Sequence, residues 1–163
     1  MNDSSVFDPE RVQRLLEGVG RCLWVYQRIE ILLKVLLPHL LTPGEEDPDP
    51  WKLPHWRSRI DSRHTLGQLI KDFASKQSSE DSEGIERYFR TLVDQRNDLV
   101  HHFFTESPGH FKTAQDLDDA IAKIRNKIEI AKPLLEGLEA MTLGFVGCLE
   151  MSIPDCSQDA PSQ

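Results

Sequence analysis

The stretch 96–102, which reads Arg-Asn-Asp-Leu-Val-His-His, carries the side chains best suited to chemistry in this chain. An imidazole has its ordinary pKa near neutrality, so it can accept or donate a proton during a reaction. A guanidinium presents a planar set of N–H donors that fits the oxygens of a phosphate. Arg96, Asn97 and His101 are therefore a candidate site, in which a side chain able to transfer protons and a cation stand close together in the sequence.

These residues lie on a predicted helix that runs from Ser82 to about Phe104. On a wheel of roughly 100° per residue, Arg96 falls in the middle of an apolar face. That face comprises Ile85, Tyr88, Phe89, Leu92, Leu99 and Phe103. Arg96 and His101 are about 140° apart on the same wheel, so within one subunit only a long arginine side chain brings its head near the imidazole. Two copies of the helix side by side would place two arginines and two histidines around one cleft.

Structural interpretations of these side chains remain open beside the chemical one. A lone arginine on a helix face usually extends to solvent or pairs with an acid, here Asp94 or Asp98. A histidine near a helix C-terminus interacts favourably with the helix dipole. His102 is either a second acid–base group or a solvated surface residue.

One long predicted helix precedes this segment in the sequence and another follows it. Asp8-Pro9-Glu10 is a helix start, with a capping carboxylate, a proline in the first turn and an acid near the N-terminus. Apolar residues then recur at helical spacing until Pro38, which ends or kinks the helix. The last helix follows Thr113 and Asp116 and continues to about Cys148, and Pro133 predicts a kink near residues 130–132.

A short helix over Thr65–Phe73 completes the predicted elements, and no segment shows the alternation typical of a strand. The sequence therefore predicts an all-α bundle of two long helices, one medium and one short helix. Residues 8–150 form a single domain in this interpretation. Residues 1–7 are expected to be a flexible N-terminus, 42–63 a loop-rich insertion and 151–163 a disordered tail.

The charge, the cysteine content and the distribution of charged residues limit the kinds of function that this chain can have. The chain of 163 residues has a formal net charge of −8, which argues against sequence-independent coating of nucleic acid but not against a small local RNA site. Three cysteines without a CxxC pair favour a reducing compartment. The most hydrophobic segment, residues 23–41, carries Arg28, Glu30 and Lys34, so a membrane-spanning helix is not expected. These features together predict a cytoplasmic protein.

A second candidate surface lies in the segment 51–76, where six cations outnumber two acids. Trp56, Arg57, Arg59 and Arg63 are candidate RNA contacts, since cations bind phosphates and tryptophan stacks on bases. The alternative is that the tryptophans pack a loop onto the bundle and the arginines form ion pairs with the acidic residues of the segment 45–49. No metal site or cofactor is expected, because no acid or cysteine stands at a ligand spacing from the histidines.

The pattern Arg96-Asn97-x-x-x-His101 on the third helix of a small all-α protein resembles the HEPN superfamily. The hallmark of these helical domains is an arginine, usually followed by a polar residue, with a histidine four to six positions later. The resemblance extends over the bundle, about residues 8–150, and its specific part is this one motif.

The resemblance implies a metal-independent endoribonuclease that acts as a homodimer, with both motifs lining a shared cleft. Arg96 and His101 would be catalytic and Asn97 supporting, and the RNA 2′-hydroxyl would be the nucleophile. Such proteins act as toxins or defence effectors, and an antitoxin or another regulatory protein is an expected partner. In the subgroup whose antitoxin modifies a tyrosine two positions after the histidine, this chain departs from the pattern, because Phe103 occupies that position.

Two other functions are consistent with the same residues. One is a non-catalytic HEPN-like domain that binds RNA or a nucleotide, or that mediates dimeric protein interaction. The other is a plain helical-bundle interaction protein, in which Arg96 would be locked in an intramolecular ion pair with no open cleft beside it.

Overall fold

The computed structural model describes residues 8–40, 63–76, 82–103 and 111–151, and all structural statements below concern these ranges. They form four α-helices and contain no strand, which confirms the predicted all-α fold. The elements are α1 (Pro9–Leu36) with a following 3₁₀ turn (Leu37–His39), α2 (Leu66–Ser75), α3 (Ser82–Asn97) with a following π-turn (Asp98–His102), and α4 (Ala114–Met151).

The helix starts follow the capping rules expected from the sequence. The Asp8 carboxylate accepts a hydrogen bond from the backbone N–H of Glu10 at 3.1 Å, and Pro9 occupies the first helical position, where no N–H is needed. Thr65 caps α2 in a reciprocal arrangement with Gln68. Pro38 ends α1 as predicted, because the α-helix gives way to the 3₁₀ turn that contains it.

The long helices α1 and α4 pack side by side and run in the same direction. Near their N-termini the Arg11 guanidinium lies 3.4 Å from the Asp118 carboxylate. Farther along, the Arg28 guanidinium lies 3.4 Å from Glu139. Beyond α1, the His39 ring lies 4.3 Å from the Phe145 ring. Residue numbers rise together along both helices, so the pair is parallel.

Helix α3 runs against this direction, because its early residues meet later residues of α4. The Tyr88 hydroxyl donates to the Ile130 carbonyl at 3.0 Å, whereas Asp98, ten residues later, pairs with Lys127. Helix α2 packs on α1 and antiparallel to α3, with the Phe73 and Phe89 rings in an edge-to-face contact. The contact on α4 shifts only from Ile130 to Lys127 between Tyr88 and Asp98, so α3 crosses α4 at an angle instead of running alongside it.

One continuous core joins the four helices. Its fully buried side chains are contributed mainly by α1 and α4, with Leu92 from α3. The largest are Ile29, Leu33, Leu92, Leu117, Ile124 and Leu138. Among the described residues no polar or charged side chain is buried. The core therefore positions the motif from one side and leaves its polar groups at the surface.

Helix α4 passes through Pro133 as one element. A proline removes the N–H that would bond to the carbonyl four residues earlier, and its ring disturbs the adjacent turn. At this turn the Tyr88 hydroxyl of α3 donates to the Ile130 carbonyl. Burial raises the pKa of the Tyr88 hydroxyl, and a hydrogen bond from the Leu134 N–H opposes that shift. The hydroxyl thus bridges a carbonyl and an N–H on either side of the proline.

Several predictions fall on residues outside the described ranges. These are the N-terminus 1–7, nearly all of the insertion 42–63, and the tail after residue 151.

Candidate functional site

Arg96 and Asn97 occupy the last turn of α3 and contact each other. The Arg96 guanidinium donates to the Asn97 side-chain oxygen at 3.3 Å. Asn97 is exposed and Arg96 is half-buried. Arg96 lies on the apolar face between Leu92 and Leu99, which are buried, while its long side chain reaches the helix surface.

The wheel assumed a regular α-helix as far as Phe104. In the structure the regular α-helix ends at Asn97. Residues 98–102 form a π-turn, in which the Phe103 N–H donates to the Asp98 carbonyl at 2.9 Å. An i→i+5 hydrogen bond places one more residue in the turn, so the rotation per residue falls below the α-helical value. The angle between Arg96 and His101 is consequently smaller than the wheel predicted. Single π-turns of this kind occur frequently at functional sites.

His101 and His102 both lie on the π-turn and are exposed. Their ring centroids are 6.4 Å apart, with the planes inclined at 69°. Val100, which precedes them, is also 45% exposed. The turn thus presents two imidazoles at the surface, directly after the Arg96–Asn97 pair. This end of α3 therefore exposes two imidazole side chains close in sequence to a guanidinium.

The π-turn is anchored to α4 by Lys127. Its ammonium donates to the Asp98 carboxylate at 2.7 Å and to the Gln95 carbonyl at 3.5 Å. The Lys127 side chain is only 12% exposed, so its charge is screened less than that of a surface lysine. The Gln95 side-chain oxygen also accepts from the Tyr26 hydroxyl at 3.2 Å. Three helices therefore converge on the residues immediately before the π-turn.

Beneath this anchor lies Cys22, whose side chain is fully buried. Burial raises the pKa of the Cys22 thiol to about 11, and the Lys127 ammonium opposes the shift. Burial also raises the pKa of the Tyr26 hydroxyl, with smaller contributions in the same direction from Cys22 and Tyr88. A neutral, buried thiol is a poor nucleophile, so Cys22 is a packing residue.

Of the four candidate RNA contacts in the basic segment, the structure describes only Arg63. Arg63 is exposed in the extended residues just before α2. Trp56, Arg57 and Arg59 lie outside the described residues. Within the described ranges, no three His, Cys, Asp or Glu side chains cluster as metal ligands would. None of the described helices combines the length and apolar character that a membrane span requires.

Sequence reasoning missed the groups that hold the site, namely Tyr26, Gln95 and Lys127. Each lies on a different helix, and only packing brings them together. A lysine between apolar positions of α4 was the one available signal, since Lys127 falls between Ile124 and Ile128. Searches against protein-family models, curated proteins and solved structures find no match to this chain.

Proposed function

We propose that this protein is a metal-independent endoribonuclease of the HEPN type, acting as a homodimer. The observation that carries the proposal is the arrangement at the end of α3. A guanidinium held by an asparagine precedes a π-turn that presents two exposed imidazoles. These are the groups required to cut a phosphodiester with an internal nucleophile.

In the proposed reaction, His101 of one copy takes the proton from a ribose 2′-hydroxyl, and the partner's His101 delivers a proton to the leaving 5′-oxygen. The 2′-oxygen forms a bond to phosphorus while the bond from phosphorus to the 5′-oxygen breaks. Arg96 stabilises the added negative charge on the pentacoordinate phosphate, and its contact with Asn97 restricts the guanidinium to one side. The products carry a 2′,3′-cyclic phosphate and a 5′-hydroxyl.

The positions of the motif residues support the homodimer as part of this proposal. Arg96 lies at the end of the regular helix and His101 on the π-turn, so a second copy packed along α3 would double both groups around one cleft. A toxin or defence role, with a partner that restrains it, accompanies this proposal. Phe103 in place of a tyrosine excludes adenylylation of a hydroxyl at that position, so restraint would have to act by another route.

The test is an RNA-cleavage assay in EDTA with the wild-type protein and the variants Arg96→Ala and His101→Ala. Cleavage is expected to fall by roughly 100-fold or more in each variant, the usual contribution of a general acid–base or charge-stabilising group. Arg87→Ala on the same helix and His64→Ala before α2 are the matched controls, since both residues are exposed. Thermal unfolding should be unchanged in all four variants.

Analysis of the product ends distinguishes the mechanism from contamination by another nuclease. A 2′,3′-cyclic phosphate that disappears with His101→Ala supports the assignment. Cleavage that persists at the wild-type rate in both variants contradicts it. RNA binding without cleavage under any condition would favour the non-catalytic RNA-binding alternative.

A further inference from the structure

A groove of about 570 Å³ lies between α2 and α3. Its floor is apolar and is formed by Gly67 and Ile70 of α2 with Phe89 and Val93 of α3. The two helices pack closely at Gly67, where a Cβ would make an ordinary van der Waals contact with a Val93 methyl group at 3.5 Å. The volume falls within the range of small-molecule sites, which are mostly apolar with a few polar groups.

The rim of the groove is charged on both sides. Lys71 lies on the α2 rim, and Glu86, Arg90 and Asp94 follow the α3 rim. The Arg90 guanidinium pairs with Glu86 at 2.8 Å, so these two partly neutralise each other. Asp94 stands at the end of the groove nearest the motif. The groove therefore combines an apolar floor, a cation on one edge and a carboxylate on the other.

The groove leads directly to the candidate catalytic residues. Arg90, Asp94, Asn97 and His101 succeed one another along one side of α3, and all four are exposed. Asp94 precedes His101 by roughly 10 Å along the helix axis at the rise of an α-helix. A ligand in the groove would thus be continuous with one bound at the π-turn.

We infer that this groove binds a nucleobase of single-stranded RNA next to the scissile phosphate. An apolar floor suits the face of any base, as stacking surfaces do in proteins that bind single strands. The Asp94 carboxylate accepts hydrogen bonds, so it favours a base with an exocyclic amino group over uracil. Lys71 on the opposite rim suits the neighbouring phosphate. The inference rests on the proposed ribonuclease activity for its biological meaning, but binding is measurable without it.

The first experiment titrates the wild-type protein with adenosine 3′-monophosphate and with uridine 3′-monophosphate and follows methyl NMR signals. Shifts are expected at Ile70, Ile85 and Val93, with tighter binding of the adenosine nucleotide. Shifts confined to the π-turn, or none at all, overturn the inference. Because this readout needs no cleavage, it separates failure of the groove from failure of the proposed activity.

The second experiment alters the groove. Asp94→Ala, which removes both acceptor oxygens, should remove most of the preference for adenosine, whereas Asp119→Ala, at an exposed acid on α4, should leave it unchanged. Lys71→Ala should weaken nucleotide binding about threefold to tenfold and lessen its salt dependence, with Lys123→Ala as its control. Val93→Phe should narrow the groove and weaken binding, and the exposed Val146→Phe controls for the added ring.

If the wild-type protein cleaves RNA, the groove variants should raise KM and change base preference at the cut site while kcat stays close to the wild-type value. Cleavage with unchanged KM and unchanged base preference in all three variants would show that the groove takes no part in substrate binding.

Discussion

The Lys127 ammonium lies 2.7 Å from the Asp98 carboxylate and ties the middle of α4 to the first residue of the π-turn. The two partners differ in burial, since the Lys127 side chain is 12% exposed and that of Asp98 is 50% exposed. Removing the acid leaves a partly buried cation with one strong partner fewer, whereas removing the lysine leaves a carboxylate that water can solvate. The pair is therefore asymmetric.

This asymmetry predicts that Asp98→Asn destabilises the protein more than Lys127→Met does. Asp98→Asn should cost about 1–2 kcal/mol, because the lysine charge loses its partner. The double variant should resemble Lys127→Met alone. Urea unfolding measures all three free energies. Lys132→Met is the control, since its pair with Glu136 is exposed on both sides and should contribute little.

The Tyr88 hydroxyl at the proline of α4 gives a second prediction. Tyr88→Phe removes the donor to the Ile130 carbonyl and should cost about 1 kcal/mol of unfolding free energy. The N–H that Pro133 lacks would bond to the Glu129 carbonyl and not to the Ile130 carbonyl, so the same substitution should cost about as much in a Pro133→Ala background. A clearly smaller cost in that background would mean that the hydroxyl compensates for the proline.

Two glycines of α1 form a matched pair. A Cβ built at Gly20 meets nothing within 4 Å, so Gly20→Ala should stabilise the protein by about 0.5–1 kcal/mol through helix propensity. A Cβ at Gly18 would lie 3.2 Å from a methyl group of Ile124, so Gly18→Ala should gain less or destabilise. Thermal unfolding of the two variants compares them directly. A larger gain at Gly18 would show that α1 and α4 are not closely packed there.

The buried thiol of Cys22 predicts a loss of stability at alkaline pH. Its pKa is about 11 in the folded protein and 9.0 as the ordinary value. Because the unfolded thiol ionises first, its contribution is fully present below pH 9 and is lost as the pH rises toward 11. The loss is on the order of 1–3 kcal/mol.

The variant Cys22→Ala tests this prediction. Because the variant also loses packing contacts, the quantity to compare is the slope of the unfolding free energy against pH and not its absolute value. The free energy of unfolding of the variant should decline less steeply between pH 8 and pH 10. Parallel slopes for the two proteins would show that Cys22 does not contribute. Burial is also the main cause of the raised pKa of the Tyr26 hydroxyl, and this cause is present in both proteins.

Local rules predicted much of the fold because they depend on near neighbours. The start of α1 at Asp8 and Pro9, its end at Pro38 and the apolar face of α3 follow from capping, backbone chemistry and periodicity. Periodicity shows which face is buried but not what covers it. The parallel pairing of α1 and α4 therefore had no signature in the sequence.

The candidate site was predictable in its residues but not in its geometry. Arg96, Asn97 and His101 were identifiable by type and spacing, whereas the π-turn that changes their mutual angle was not. The turn adjoins a lysine from another helix, Lys127, which sequence spacing cannot assign to it. Whether Arg96 and His101 act on RNA stays a prediction.

The parallel arrangement of α1 and α4 also constrains how the chain acquires its structure. Contacts such as that of Arg11 with Asp118 join the first helix to the last. They can form only when the whole chain between the two helices is present, and forming them closes a long loop. During synthesis the N-terminal helix emerges first. The apolar face that α1 presents to α4 therefore stays uncovered by its main partner until α4 has been synthesised. Up to that point the nascent chain exposes apolar surface that the folded protein buries.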